Sequence, residues 1–153
     1  MSRRASRRHS FIVTYQLQFY AQPEIAQVLE LYAQAFADSD GKAGFSAADN
    51  GFIQEQVYGI QERLEHLDGI IRQYITAGWS MARIAKVDLA ILRLAVYELA
   101  YMPDIPTRVC INEAVELAKT YGDDDAPAFV NGLLASAQRK IRPEKAPEEA
   151  NAQ

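Results

Sequence analysis

Apolar positions recur along this chain with helical spacing almost throughout, and no stretch sustains the two-residue alternation between turns that marks strands. The pattern predicts an all-α fold of about seven helices. A first helix is expected from about Arg4 to Tyr20, with Phe11, Tyr15 and Phe19 four residues apart in one stripe. Pro23 suits the start of a second, reaching Ala37 and burying Ile25, Leu29, Tyr32 and Phe36. A polar loop with Gly41 and Gly44 follows, from Asp38 to Phe45. After Ser46 and Asp49, a third helix sets Ile53, Val57, Ile60, Leu64 and Leu67 on one face. Asp68-Gly69 reads as a break before a short helix carrying Ile70, Ile71, Tyr74 and Ile75, which Gly78 closes.

The most apolar segment runs from Met81 to Tyr101, where Ile84, Val87, Ile91, Leu94 and Ala95 form a face widened by Leu92, Val96 and Leu99. A helix so apolar is a central one. Pro103 and Pro106 stop it, and Thr107 is placed to cap the next, whose Ile111, Ala114, Val115 and Ala118 face inward until Gly122. Asp123, Asp124 and Asp125 read as caps of a last helix packing Phe129, Val130, Leu133, Leu134, Ala137 and Ile141. The pattern thus gives one helical domain, 1-142, made of two small packed three-helix units at roughly 1-78 and 79-142. A flexible, disordered acidic tail is expected over 143-153.

Composition fits this picture: 49% apolar and 24% charged residues in 153 describe a globular chain. No stretch approaches the roughly 20 apolar residues that cross a bilayer, so no membrane association is expected. The basic start followed by Phe11 to Tyr20 fails as an export signal, because Gln16 and Gln18 interrupt the apolar run. The single cysteine, Cys110, sits between Val109 and Ile111 and reads as a small core side chain in a reducing, cytoplasmic setting. The two histidines, His9 and His66, form no nucleophile motif with it.

Charge changes the picture more. The net charge of -4 argues against nucleic acid, but Arg3, Arg4, Arg7 and Arg8 all precede the first acid, Glu24. Beyond Pro143, Glu144, Glu148 and Glu149 face Lys145 alone. On a helix Arg4, Arg7 and Arg8 share a face that Arg3 extends, a row able to meet successive phosphates. A solvated, frayed start is the competing reading, and the residues alone leave both open. Tyr15, Phe19 and Tyr20 can stack on unpaired bases or belong to the core; spacing favours the core for Phe19 and a wet edge for Tyr15. The three consecutive aspartates lack the spaced oxygen ligands of a cation loop and read as caps, so no metal is expected. Glu98, Glu113 and Glu116 read as solvated or paired acids. Without a glycine-rich phosphate loop, zinc spacing or nucleophile motif, neither enzymatic activity nor a cofactor is expected.

The segments from Arg83 to Leu99, from Ile105 to Lys119, and Phe129-Val-Asn-Gly-Leu-Leu134 closely resemble, in order, three blocks of the bacterial transcription antitermination factor NusB family. The resemblance implies a helical protein that binds the BoxA element of nascent ribosomal RNA together with NusE, a small-subunit ribosomal protein. Such a complex helps RNA polymerase resist termination. It implies RNA contact by Arg3, Arg4, Arg7 and Arg8, with Tyr15, Asp125 and Phe129 near the RNA. It also turns Asp88 toward NusE, with Asp where the family more usually has Glu. A related helical domain begins some ribosomal RNA cytosine methyltransferases, but no strand-loop-helix segment to hold a methyl donor follows here. The alternative is a helical protein-binding adaptor or homodimer with no direct RNA role.

Overall fold

In the computed structural model, which describes residues 1–36, 45–76 and 78–143, seven α-helices and one short 3-10 turn carry the described chain, without strands. It divides into two compact units, Met1–Glu62 and Arg63 onward.

The first unit holds α1 (Arg3–Leu17), α2 (Ile25–Ala35) and α3 (Ala47–Glu62), with α1 packed on both others. Its core joins Val13 and Leu17 of α1, Val28, Leu29 and Tyr32 of α2, and Ile53 and Val57 of α3. The face α1 buries is only in part the expected aromatic stripe: Phe11 is buried and Tyr15 half-buried. Ser6, Ser10, Val13, Thr14 and Leu17 point inward, while the helix ends at Leu17 and leaves Phe19 60% exposed. Small residues at 6, 10 and 14 share the inner face with Phe11, Val13 and Leu17.

The second unit comprises α4 (Leu64–Gln73), the 3-10 turn Met81–Arg83, α5 (Lys86–Tyr101), α6 (Thr107–Tyr121) and α7 (Ala126–Ile141). Two helix boundaries differ from expectation. The break falls at Arg63 (φ -121°) rather than at Asp68-Gly69, so the stripe from Ile53 to Leu67 is shared by two helices. Asp68 continues α4 and takes a two-pronged bond from Arg93 of α5, both contacts at 2.8 Å. Because α4 packs on α5 and α7, the division between the units falls at Glu62–Arg63, earlier than the expected 78. Met81 to Tyr101 is likewise not one helix: the chain is extended at Ile84 and Ala85 before α5 starts. From Ala90 to Leu99 nearly every α5 side chain is buried, including Glu98, so α5 is the central helix of its unit.

Arg142, just past α7, closes this unit. Its guanidinium donates to the carbonyls of Leu99 (2.8 Å), Ile105 (2.6 Å), Glu98 (3.1 Å) and Met102 (3.1 Å) and to the Thr107 hydroxyl (3.2 Å). The last carbonyls of a helix have no partner within it, and Pro103 and Pro106 offer no N–H groups, so one buried cation satisfies what the helix end leaves open. Thr107 therefore serves Arg142 rather than capping α6, whose N-cap position is Pro106. Cys110 is buried in α6. The acidic tail beyond Pro143 and the loop up to Phe45 lie outside the described residues.

Candidate nucleic-acid interface

The basic start of α1 is held in place. The Ser2 hydroxyl caps the helix by accepting from the Ala5 N–H at 3.1 Å. Asp49, in the first turn of α3, accepts from the Met1 ammonium (3.1 Å), the Ser6 hydroxyl (3.3 Å) and the Ser46 hydroxyl (2.8 Å). The Ser46 bond first, then the ammonium, holds the Asp49 carboxyl below the usual carboxylate range. Arg3 lies over the Phe52 ring of α3 with 3.9 Å from guanidinium carbon to ring centre. The helix start is thus held by a cap, an ion pair and a ring contact.

The four arginines do not share one face. Arg3, Arg4 and Arg8 are exposed, whereas Arg7 is only 4% exposed because it falls beside Ser6, Ser10 and Thr14 on the inner side. Arg4, Arg8, Ile12 and Tyr15 follow one another at steps of four, four and three along the outer side, about 16 Å at the helical rise. Tyr15 is half-buried and meets the exposed Phe19 ring edge-on at 5.2 Å, so the basic stripe runs into an aromatic pair. On the inner side His9 shares a 2.6 Å hydrogen bond with the Tyr32 hydroxyl and packs against Phe36 and Phe45 at 4.9 and 4.8 Å. Burial, and secondly the charge of Arg8, lower its pKa.

The remaining candidates, Asp88, Asp125 and Phe129, come together in the second unit. They line a cavity of ≈ 410 Å³ with Trp79, Arg83 and Asp123 among its other walls. Asp125 sits at the N-cap position of α7, but its side chain makes no capping bond, so the expected capping role is not what this acid does. Asp88, in the first turn of α5, has a fully buried Oδ1 without a hydrogen-bond partner. Burial, and next the nearby Asp123, raise its pKa. Gly122 explains how the carboxyl is seated. A Cβ there would lie 2.6 Å from the Ala126 Cβ and 3.2 Å from Asp88 Oδ1, so only glycine permits this approach of α6, α7 and α5. Its backbone is extended (φ -94°, ψ 176°), so contact rather than a left-handed conformation demands it.

A family model described as the NusB family matches residues 4–139. The chain belongs to the NusB family. It is 43% identical to the transcription antitermination protein NusB of Agathobacter rectalis over 88% of this chain and 98% of that protein. With the same protein of Oleidesulfovibrio alaskensis the identity is 41% over 92% and 89%. The structure of T. maritima NusB superposes with a TM-score of 0.83, at 32% identity over 97% of this chain and 98% of that one. A structure of the antitermination factors NusB and NusE in complex with dsRNA shares the fold, with a TM-score of 0.77 at 22% identity over 90% and 96%. Every candidate residue except Arg3 falls inside the NusB match. Asp49, Trp79 and Arg83 join the candidate surfaces without a sequence signal of their own. Asp49 reads there as a helix start, and Trp79 lies between periodic segments.

Proposed function

We propose that this protein is a transcription antitermination factor that binds BoxA RNA together with NusE, and that the outer side of α1 is its RNA-contacting surface. The observation that carries the reading is the anchored stripe of Arg4 and Arg8, flanked by Arg3 and continued by Tyr15 and Phe19. Guanidiniums meet successive phosphates, and exposed rings stack on unpaired bases. Arg7, turned inward, acts by positioning this face. The cavity of Asp88, Asp125 and Phe129 serves the protein partner and the adjoining RNA. The protein works by binding, in the cytoplasm where transcripts emerge and are joined by the RNA polymerase antitermination complex.

Mobility-shift titration of BoxA and a scrambled RNA, with and without NusE and over a range of salt, tests this. BoxA binding is expected to strengthen with NusE and weaken with salt. Arg4→Ala with Arg8→Ala should lower the slope of log affinity against log salt by about 1.4, at about 0.7 per phosphate on a single strand. If the double variant binds BoxA as tightly as the parent at low salt, α1 is not the RNA surface. Binding of NusE with no added RNA affinity would leave a protein adaptor.

A further inference from the structure

The rotation of α1 about its own axis decides which arginines meet an RNA. At about 100° per residue, positions two apart on a helix lie about 200° apart, so Arg4 and Arg8, each two residues from Ser6, fall on the side opposite it. Ser6 is fully buried, and its hydroxyl donates to Asp49 Oδ1 at 3.3 Å, a contact between residues 43 positions apart. The other oxygen of that carboxylate, Oδ2, accepts from the Ser46 hydroxyl at 2.8 Å, and the Ser46 oxygen accepts from the Asp49 N–H at 3.2 Å. This reciprocal pair starts α3. It leaves Oδ1 for α1, so one carboxylate begins one helix and sets the rotation of another. Nearly one turn further along α3, the Phe52 ring lies under the Arg3 guanidinium. A guanidinium flat on a ring keeps its N–H donors in plane for a phosphate, while its long side chain is held in one direction. Asp49 itself lies across α1 from Arg4 and Arg8. A helix with its side chains is about 10–12 Å across, close to the Debye length of about 10 Å at 0.1 M salt, so repulsion between this carboxylate and a phosphate on the outer side is largely screened. What Asp49 brings to that side is position rather than charge.

We infer that Asp49 and Phe52 are positioning residues of the RNA-contacting surface. The carboxylate fixes the rotation of α1 through Ser6, and the ring holds the Arg3 guanidinium at the edge of the basic stripe. An acid on the neighbouring helix thereby strengthens the binding of an anion. The inference rests on the reading of α1 as the RNA surface, and it names the groups that aim that surface.

Titration of BoxA RNA with NusE and the full chain at low salt tests this, with far-UV circular dichroism to check that each variant keeps its helices. Asp49→Ala should weaken binding about fivefold, the size of one ordinary hydrogen bond. Asp49→Asn, which keeps an acceptor for Ser6 without the charge, should recover most of that affinity. A carboxylate acting only by repulsion would do the reverse, with both variants binding more tightly than the parent. Ser6→Ala leaves the Ser46 cap of α3 whole and should also weaken binding, by about twofold to fivefold. Added to Asp49→Ala it should cost nothing further, because both remove the same bond. Phe52→Leu should weaken binding in the parent and have no effect in Arg3→Ala. Unchanged or tighter binding in Asp49→Ala, no effect of Ser6→Ala, or an equal loss from Phe52→Leu with and without Arg3 would each overturn the inference. Should Asp49→Ala not fold, the Ser6→Ala and Phe52→Leu arms still decide it. The positioning is also read without RNA, by nuclear magnetic resonance: the Arg3 Nε–H signal should move in Phe52→Leu, and the Ser6 amide signal in Asp49→Ala. Absent shifts would overturn the positioning whatever the RNA does. Both shifts, together with full BoxA affinity in the Arg4→Ala, Arg8→Ala variant, would overturn the RNA reading of α1 and not its positioning, so the two fail separately.

Discussion

Asp88 is held in its free state at a cost. Its pKa is raised above the ordinary 3.8 by burial and by Asp123, so the protonated form is the one folding favours. Stability from that form is fully present below the ordinary value and is lost as pH rises through the raised one. Asp88→Asn is therefore expected to melt higher than the parent at neutral pH, with the gain vanishing as pH falls below the carboxylate range. Thermal melts followed by circular dichroism at a series of pH values check this, and a variant less stable at neutral pH contradicts it. The same substitution should thus stabilise the chain and weaken its partner binding, as expected where a site is built at some expense of stability. Arg142 is the opposite case, a charge whose partners all lie within the chain. Arg142→Met removes one donor from each of four carbonyls and a hydroxyl, of which the Glu98 and Met102 carbonyls keep a backbone N–H, and should cost about 3 kcal/mol, read as a fall in the urea midpoint with unchanged slope. In the sequence, Asp88 stands out only through the family resemblance, and Arg142 is one more cation before Pro143.

Among the elements, α1 carries two different faces, and periodicity distinguishes them poorly. Phe11, Tyr15 and Phe19 suggest an inner stripe, yet of these Phe11 alone is fully buried, in company with Ser6, Ser10 and Thr14, and Phe19 is outside. Hydrophobicity marks large side chains, whereas close packing of helices can select small ones. The inner face also holds His9 among Tyr32, Phe36 and Phe45, with its pKa lowered below the ordinary 6.5. Stability from neutral His9 is present above that value and is lost as pH falls through the lowered one. Backbone hydrogen exchange in α2 is expected to accelerate on mild acidification, after correction for intrinsic rates, and the acid-induced step should disappear in His9→Asn. An α2 equally protected at both pH values would show that His9 does not govern this packing. Tyr32 and Arg8 are the titratable groups set beside it.

For the whole molecule, the helical class and the order of helices are legible in the apolar pattern, because each helix buries a stripe at its own period. The third-to-fourth helix junction is not legible: the stripe from Ile53 to Leu67 continues in register across Arg63, so nothing in the spacing announces the break. The site is legible in part. Spacing sets Arg4, Arg7 and Arg8 on one face, of which Arg7 is buried, and the family resemblance points to Asp88, Asp125 and Phe129. That these three share one cavity with Trp79 depends on how α5 and α7 meet at Gly122, a contact between residues 34 positions apart that no local pattern encodes.

The Arg142 clasp bears on the order in which the chain takes shape during synthesis. The first unit ends at Glu62 and has its core residues in hand early. The second lacks the donor that Arg142 brings to the carbonyls of Glu98, Leu99, Met102 and Ile105 until residue 142 has been made. At about 5–20 residues per second, the nascent protein passes through a period of seconds in which its arginine-bearing helix can already be formed while the second unit is unfinished.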